Sequence, residues 1–250
     1  MFGAKIHIKR GGKDDGERPF WISFADLMTA LMVVFLLVMS VALLSVTKEV
    51  TEQQKAEAQR RQDIRELLDE LKQAARKDIF SGVSVHDEDY QNPYIDFGPL
   101  ATFDVDKSSL TVVKAKFLRS YIPEILKVAD TEKGRRWFKQ VVVEGYTDNT
   151  GKYLHNLDLS LRRSERLVCV LLDTSVAGDA PLSGGQKQQV RKLFLVGGYS
   201  SNSAKADPTL SRRIELKLKF WENNDSDPRP SSDAGDTSLD AGNCALGTER

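Results

Sequence analysis

Asp26 is the residue whose setting points most directly to chemistry. From Ile22 to Val46 run 25 residues in which it is the only ionisable side chain. A carboxylate in such a stretch costs about 2.5–3.5 kcal/mol on insertion scales, so it normally faces protein or water and marks a path for an ion or proton. Winding the segment at about 100° per residue brings Ser23, Thr29 and Ser40 within about 60° of Asp26 on one side of a helix. Val33 and Leu37 continue this stripe, and Ala30 leaves room for a close neighbour. Position alone leaves a second role open: less than two turns from Phe20, Asp26 can snorkel to the interface or cap the helix start. Ion carriage requires a neighbouring chain that lends and withdraws a water path, because a lone helix gives a carboxylate no route across a bilayer.

Other reactive residue types lack their companions. His155 has no serine or cysteine nucleophile motif beside it, and Asn156-Leu157-Asp158 behind it reads as an ordinary helix start, so lining a ligand or lying at the surface is its expected role. Gly184-Gly185 and Gly197-Gly198 lack a phosphate-loop pattern. Cys169 and Cys244 lack metal-ligand spacing; they can bridge if both lie outside the cytoplasm, and Cys169 reads as a buried helical thiol. No enzyme, resident metal or cofactor is expected. With 36 basic and 36 acidic residues, the charge balance gives no argument for nucleic acid.

The element that must hold Asp26 is a transmembrane helix over residues 20–46. Its 25 apolar-rich residues from Ile22 correspond to roughly 37 Å of helix, enough to cross a bilayer with some tilt. A cleaved signal peptide has an apolar core of only about 7–15 residues, so this segment is expected to stay in the membrane. Lys5, Lys9, Arg10, Lys13 and Arg18 mark residues 1–19 as a cytoplasmic tail, which sends the C-terminal remainder out of the cytoplasm. Residues 47–80 read as a charged helical linker. Ile64, Leu67, Leu68, Leu71, Ala74 and Ala75 form a narrow apolar stripe on it, suited to pairing two copies or to packing onto the next domain.

Residues 81–221 switch to strands separated by helices. Strands are expected at 83–86, 94–97, 141–146, 193–196 and 213–220, with helices at 114–129 and 157–172. Pro123 should kink the first helix. The apolar start of Val141–Tyr146 suggests burial on both faces, and 177–189 reads as a Gly- and Gln-rich loop. The order predicts an α+β or α/β domain large enough for its own core. Residues 222–250, nearly devoid of apolar side chains, are expected to be disordered.

Two separated motifs carry a family resemblance. Trp21-Ile-Ser-Phe-Ala-Asp-Leu-Met-Thr29 resembles the signature of MotB-type stator subunits, in which the aspartate carries the transported proton or sodium ion; the match places that role on Asp26. Gly145-Tyr-Thr-Asp-Asn-Thr-Gly151, then Asn156, Leu159-Ser160 and Arg163, then Arg212-Arg213-Ile-Glu215, resemble the OmpA-like peptidoglycan-binding domain. That resemblance implies a single N-terminal transmembrane helix followed by an α+β OmpA-like (βαβαβ-type) periplasmic domain.

It also implies a second site. A peptidoglycan stem peptide presents carboxylates and an ammonium, so Asp148 would accept from the ammonium and Arg163 would offer its planar fork to a carboxylate. Asn156 would donate and accept in the same cleft, with Leu159 as its wall and His155 at a position where relatives usually carry an aromatic. Around Asp26 the segment Arg18–Met39 is more similar to the ZorB family, the MotB-like subunits of Zorya anti-phage defence systems, than to flagellar stators. The implied assembly is a homodimer in the bacterial inner membrane, its two spans inside a pentameric ring of a ZorA/MotA-like polytopic partner and its C-terminal domains on peptidoglycan. A flagellar stator and a passive wall anchor are the alternative readings.

Overall fold

A computed structural model describes residues 18–173 and 182–223 of the chain. Most of the expected N-terminal and C-terminal tails, and part of the expected 177–189 loop, lie outside the described residues. The chain divides into two units, Met1–Ala56 and Glu57–Arg250.

In the first unit the chain is helical from Arg18 onward, within α1 (Arg18–Ala75). The apolar residues from Trp21 to Val50 are solvent-facing in the isolated chain, and the helix is long and apolar enough to cross a membrane. An all-round apolar surface of this length has no soluble counterpart to bury it and suits a lipid environment.

The second unit begins within the expected linker. Ile64, Leu67, Leu68 and Leu71 on the last turns of α1 are fully buried in its core, so residues 57–75 belong to the domain and the stripe packs onto it. Five strands follow: β1 (Ser84–His86), β2 (Tyr94–Asp96), β3 (Phe138–Gly145), β4 (Phe194–Gly198) and β5 (Ile214–Phe220). They form one sheet in the order β1-β2-β5-β3-β4. All neighbours are antiparallel except β3 and β4, which run parallel.

Two long helices frame the core. In α2 (Val112–Ala129), Leu118, Tyr121, Ile122, Ile125 and Leu126 are buried, and the helix is continuous through Pro123. Thr111 caps it by accepting from the Lys114 amide. The crossover helix α4 (Tyr153–Leu172) joins the parallel pair β3 and β4, as such a connection requires.

Three short helices were not expected: α3 (Glu132–Trp137), α5 (Gly184–Leu193) and α6 (Pro208–Ser211). The Gly/Gln stretch folds as α5 because Ser183 and Gln186 form a reciprocal capping box, while Val190 and Leu193 anchor it. β3 is buried mainly on one side: Val141 and Val143 enter the core, whereas Val142, between Lys217 and Leu195, is half-buried. Cys169 is half-buried and disulfide-bonded rather than a buried free thiol, and Cys244 lies outside the described residues.

Candidate functional site

In the span, Asp26 sits within an unbroken helix, and two of its stripe neighbours, Thr29 and Ser40, spend their hydroxyls on that helix. Thr29 donates to the Ala25 carbonyl, and Ser40 to the Leu36 carbonyl at 2.7 Å. Among the described residues no side chain bonds to the Asp26 carboxylate. Its polarity is therefore left for whatever covers the helix.

The second site forms where α4 crosses the ends of β3 and β4. The approach depends on two glycines: a Cβ on Gly145 would lie 1.9 Å from the Ser160 carbonyl oxygen, and one on Gly198 would lie 2.8 Å from the Leu161 nitrogen. With α4 held this close, Asn156, Leu159 and Arg163 share a face directed at the loop that leaves β3, since residues three and four apart align on a helix. A cavity of about 210 Å³ opens there, lined by all five residues expected at the site: Asp148, His155, Asn156, Leu159 and Arg163.

Arg163 is not a surface arginine; it is 0% exposed. Its Nε donates to the Lys107 carbonyl at 2.9 Å, Nη1 to Tyr146 at 2.8 Å and Nη2 to Asp104 at 3.1 Å. The guanidinium also lies 5.1 Å from the Phe103 ring centroid. Three of its five N–H donors thus tie together loops far apart in sequence, and two remain for a ligand. Burial pushes its pKa down to about 10, against the pull of Asp148, so it keeps its charge at neutral pH.

Asp148 is held from two sides. Its Oδ1 accepts from the Thr150 amide at 3.0 Å and its Oδ2 from Arg212 Nη1 at 2.8 Å. Burial alone would raise its pKa, but these hydrogen bonds hold it below the ordinary carboxylate value. Asn156 pins the same loop by donating to the carbonyls of Thr150, at 2.9 Å, and Asp148. Gly151 turns that loop with φ +95°, a region that suits glycine. At the mouth, His155 Nε2 stands 2.6 Å from Asp106 Oδ1, and both side chains are exposed.

Six further residues line the cavity that were not among the expected site residues: Val105, Asp106, Thr147, Thr150, Gly151 and Arg212. Arg212 had a signal in the Arg212-Arg213 pair before the last strand. Arg213 is buried against Glu215 at 2.6 Å, whereas Arg212, at the C-terminal cap of α6, lines the cavity. Asp106, in a turn with φ +57°, had none. The arrangement offers paired opposite charges above an apolar wall of Leu159 and Val105, a host for a zwitterionic group on a short aliphatic stem.

Residues 5–57 match the family described as membrane MotB of the proton-channel complex MotA/MotB. Among solved structures, the periplasmic domain of a MotB is 16% identical with a TM-score of 0.41, over 57% of this chain and 70% of that one. The cell wall anchor of the T6SS from Pseudomonas aeruginosa is 19% identical with a TM-score of 0.41, over 60% of this chain and 97% of that one. A Zorya protein ZorB from Escherichia coli strain ATCC 8739 is 27% identical, over 86% of this chain and 93% of that one. The Zorya protein ZorB of Escherichia coli O139:H28 is 43% identical over 224 residues, covering 88% of both chains. At that identity over nearly the full length of both, this chain belongs to the ZorB family.

Proposed function

We propose that the chain is the stator subunit of an ion-driven rotary membrane motor that grips peptidoglycan and acts in anti-phage defence. In this reading two copies place their spans inside a ring of a ZorA/MotA-like polytopic subunit, with the N-terminus cytoplasmic and the C-terminal domain periplasmic. Asp26 loads and releases a proton or sodium ion as the ring passes it. One elementary charge crossing about 100 mV releases about 2.3 kcal/mol, comparable to the cost of burying a carboxylate in the span, so the driving force matches the task.

The wall end resists the resulting torque. An ammonium on the stem peptide displaces Arg212 from Asp148, the freed Arg212 and the two remaining Arg163 donors take carboxylate oxygens, and Leu159 and Val105 line the aliphatic stem. Because Arg163 is already fixed by three backbone carbonyls, little conformational freedom is left to lose when the ligand binds.

The observation that carries the reading is the coexistence, in one chain, of a lone carboxylate in an otherwise apolar helix and a charge-paired cavity on the domain that follows. The test is protection from phage in cells carrying the complete system. Asp26→Asn should abolish protection while the complex still assembles. Full protection by Asp26→Asn, combined with its loss in Arg163→Ala, would instead identify a passive wall anchor.

A further inference from the structure

Thr147 carries a hydroxyl that the fold does not use. Six serine and threonine side chains are buried among the described residues. Those of Thr102, Ser160, Ser164, Ser200 and Ser211 each donate to a backbone carbonyl. Thr147 is 2% exposed, yet its Oγ1 has no hydrogen-bond partner among the described residues. A buried hydroxyl left unbonded costs about 1–3 kcal/mol, which valine, of the same shape, would avoid.

The residue lines the cavity, and its amide is anchored on the Ser200 carbonyl at 2.9 Å. In the chain it stands between Tyr146, whose carbonyl Arg163 grips at 2.8 Å, and Asp148. Asp148 by itself does not satisfy an ammonium. Its Oδ1 is taken by the Thr150 amide, and only Oδ2 comes free when Arg212 leaves. An ammonium carries three N–H donors and needs a further acceptor, whereas the secondary amide that cross-linking makes of an amine carries one.

We propose that Thr147 Oγ1 is the second acceptor for the ligand's ammonium, and that it makes the cavity select stem peptides with a free primary amine over cross-linked ones, in which that nitrogen is an amide. The inference rests on the wall-gripping reading and names which part of the wall is gripped. Solvent does not reach Oγ1 while Arg212 holds Asp148, so a ligand meets the hydroxyl once that arginine gives way. The ammonium then donates one N–H to Asp148 Oδ2 and another to Thr147 Oγ1. An amide spends its single N–H on Asp148 and gains nothing from Thr147. A site whose buried polar groups await particular donors rejects the analogue that lacks them.

Titration calorimetry of the full-length chain in detergent tests it with two probes: a stem tripeptide ending in meso-diaminopimelate, and the same peptide acetylated on its free side-chain amine. The parent should bind the free amine at least about tenfold more tightly. Thr147→Val should lose about tenfold for the free amine and nothing for the acetylated peptide, with a thermal midpoint equal to the parent's or higher. Thr147→Ser, which keeps the oxygen, should keep the preference. Equal loss for both probes, or a lowered midpoint in Thr147→Val, would make the hydroxyl structural and overturn the proposal, as would undiminished binding of the free amine. A parent that binds both probes alike overturns this inference and leaves the wall grip; a parent that binds neither overturns the two together.

Discussion

Asp148 and Arg212, 64 residues apart in sequence, form an ion pair of 2.8 Å at the floor of the cavity, so the carboxylate is neutralised before any ligand arrives. Both side chains are mostly buried, at 11% and 12% exposure. A guest's ammonium must match the guanidinium it displaces, which favours ligands that also bring a carboxylate for Arg212. Asp148→Asn keeps the shape and the Thr150 contact but removes the charge. Binding of the purified chain to peptidoglycan sacculi should fall about tenfold or more, equivalent to about 1.4 kcal/mol, and the thermal midpoint should drop modestly because Arg212 loses its charged partner.

Arg163 should act more strongly on stability. Its loss strips donors from the carbonyls of Asp104, Lys107 and Tyr146, two of them in the loop before α2 and one at the end of β3. Arg163→Ala should cost about 3 kcal/mol or more in urea denaturation, since hydrogen bonds to a charged group contribute about 1.5–3 kcal/mol each. A variant as stable as the parent would show that these bonds do not brace the site.

Two glycines, one crowded and one open, predict a contrast of sign. Gly145→Ala drives a methyl group into the Ser160 carbonyl, so it should destabilise by about 3 kcal/mol, the upper end for overpacking. Gly185, in the first turn of α5, has nothing within 4 Å of the point where a methyl group would sit. Gly185→Ala should be neutral or stabilising by up to about 1 kcal/mol. Differential scanning calorimetry of the two variants checks both.

How much of this was legible before folding depended on whether a feature was local. The buried face of α2 and the alignment of Asn156, Leu159 and Arg163 follow from helical spacing, and all three residues reach one cavity. α5 was not legible, because two glycines and three glutamines mask a helix held by one capping box and two apolar anchors. The carbonyls that claim Arg163 leave no trace in residue type, since any residue supplies one. Arg212 acquired its partner from a turn 64 positions away, and no spacing rule reaches that far.

Stability should also depend on acid pH in a defined direction. Burial alone would raise the pKa values of Asp63, Asp96 and Asp148, but hydrogen bonds from Trp137, from Lys205 and from Arg212 respectively hold all three below the ordinary value. The unfolded chain therefore binds more protons at low pH. The stabilisation is complete above the unfolded carboxylate value of about 3.9 and is lost as pH falls through the lower folded values. The urea midpoint should be flat from about pH 7 to pH 5 and drop below about pH 4, and Asp63→Asn should make that drop shallower. An unaltered slope in Asp63→Asn would remove Asp63 from the account.

The central claim is that ion passage depends on Asp26 and not on the wall site. It is tested most directly by following ion flux with an entrapped pH- or sodium-sensitive dye in vesicles that hold the chain together with its polytopic partner. The account predicts flux with the parent chain and with Asp148→Asn, and background leakage alone with Asp26→Asn. Parental flux through an assembled Asp26→Asn complex would contradict it.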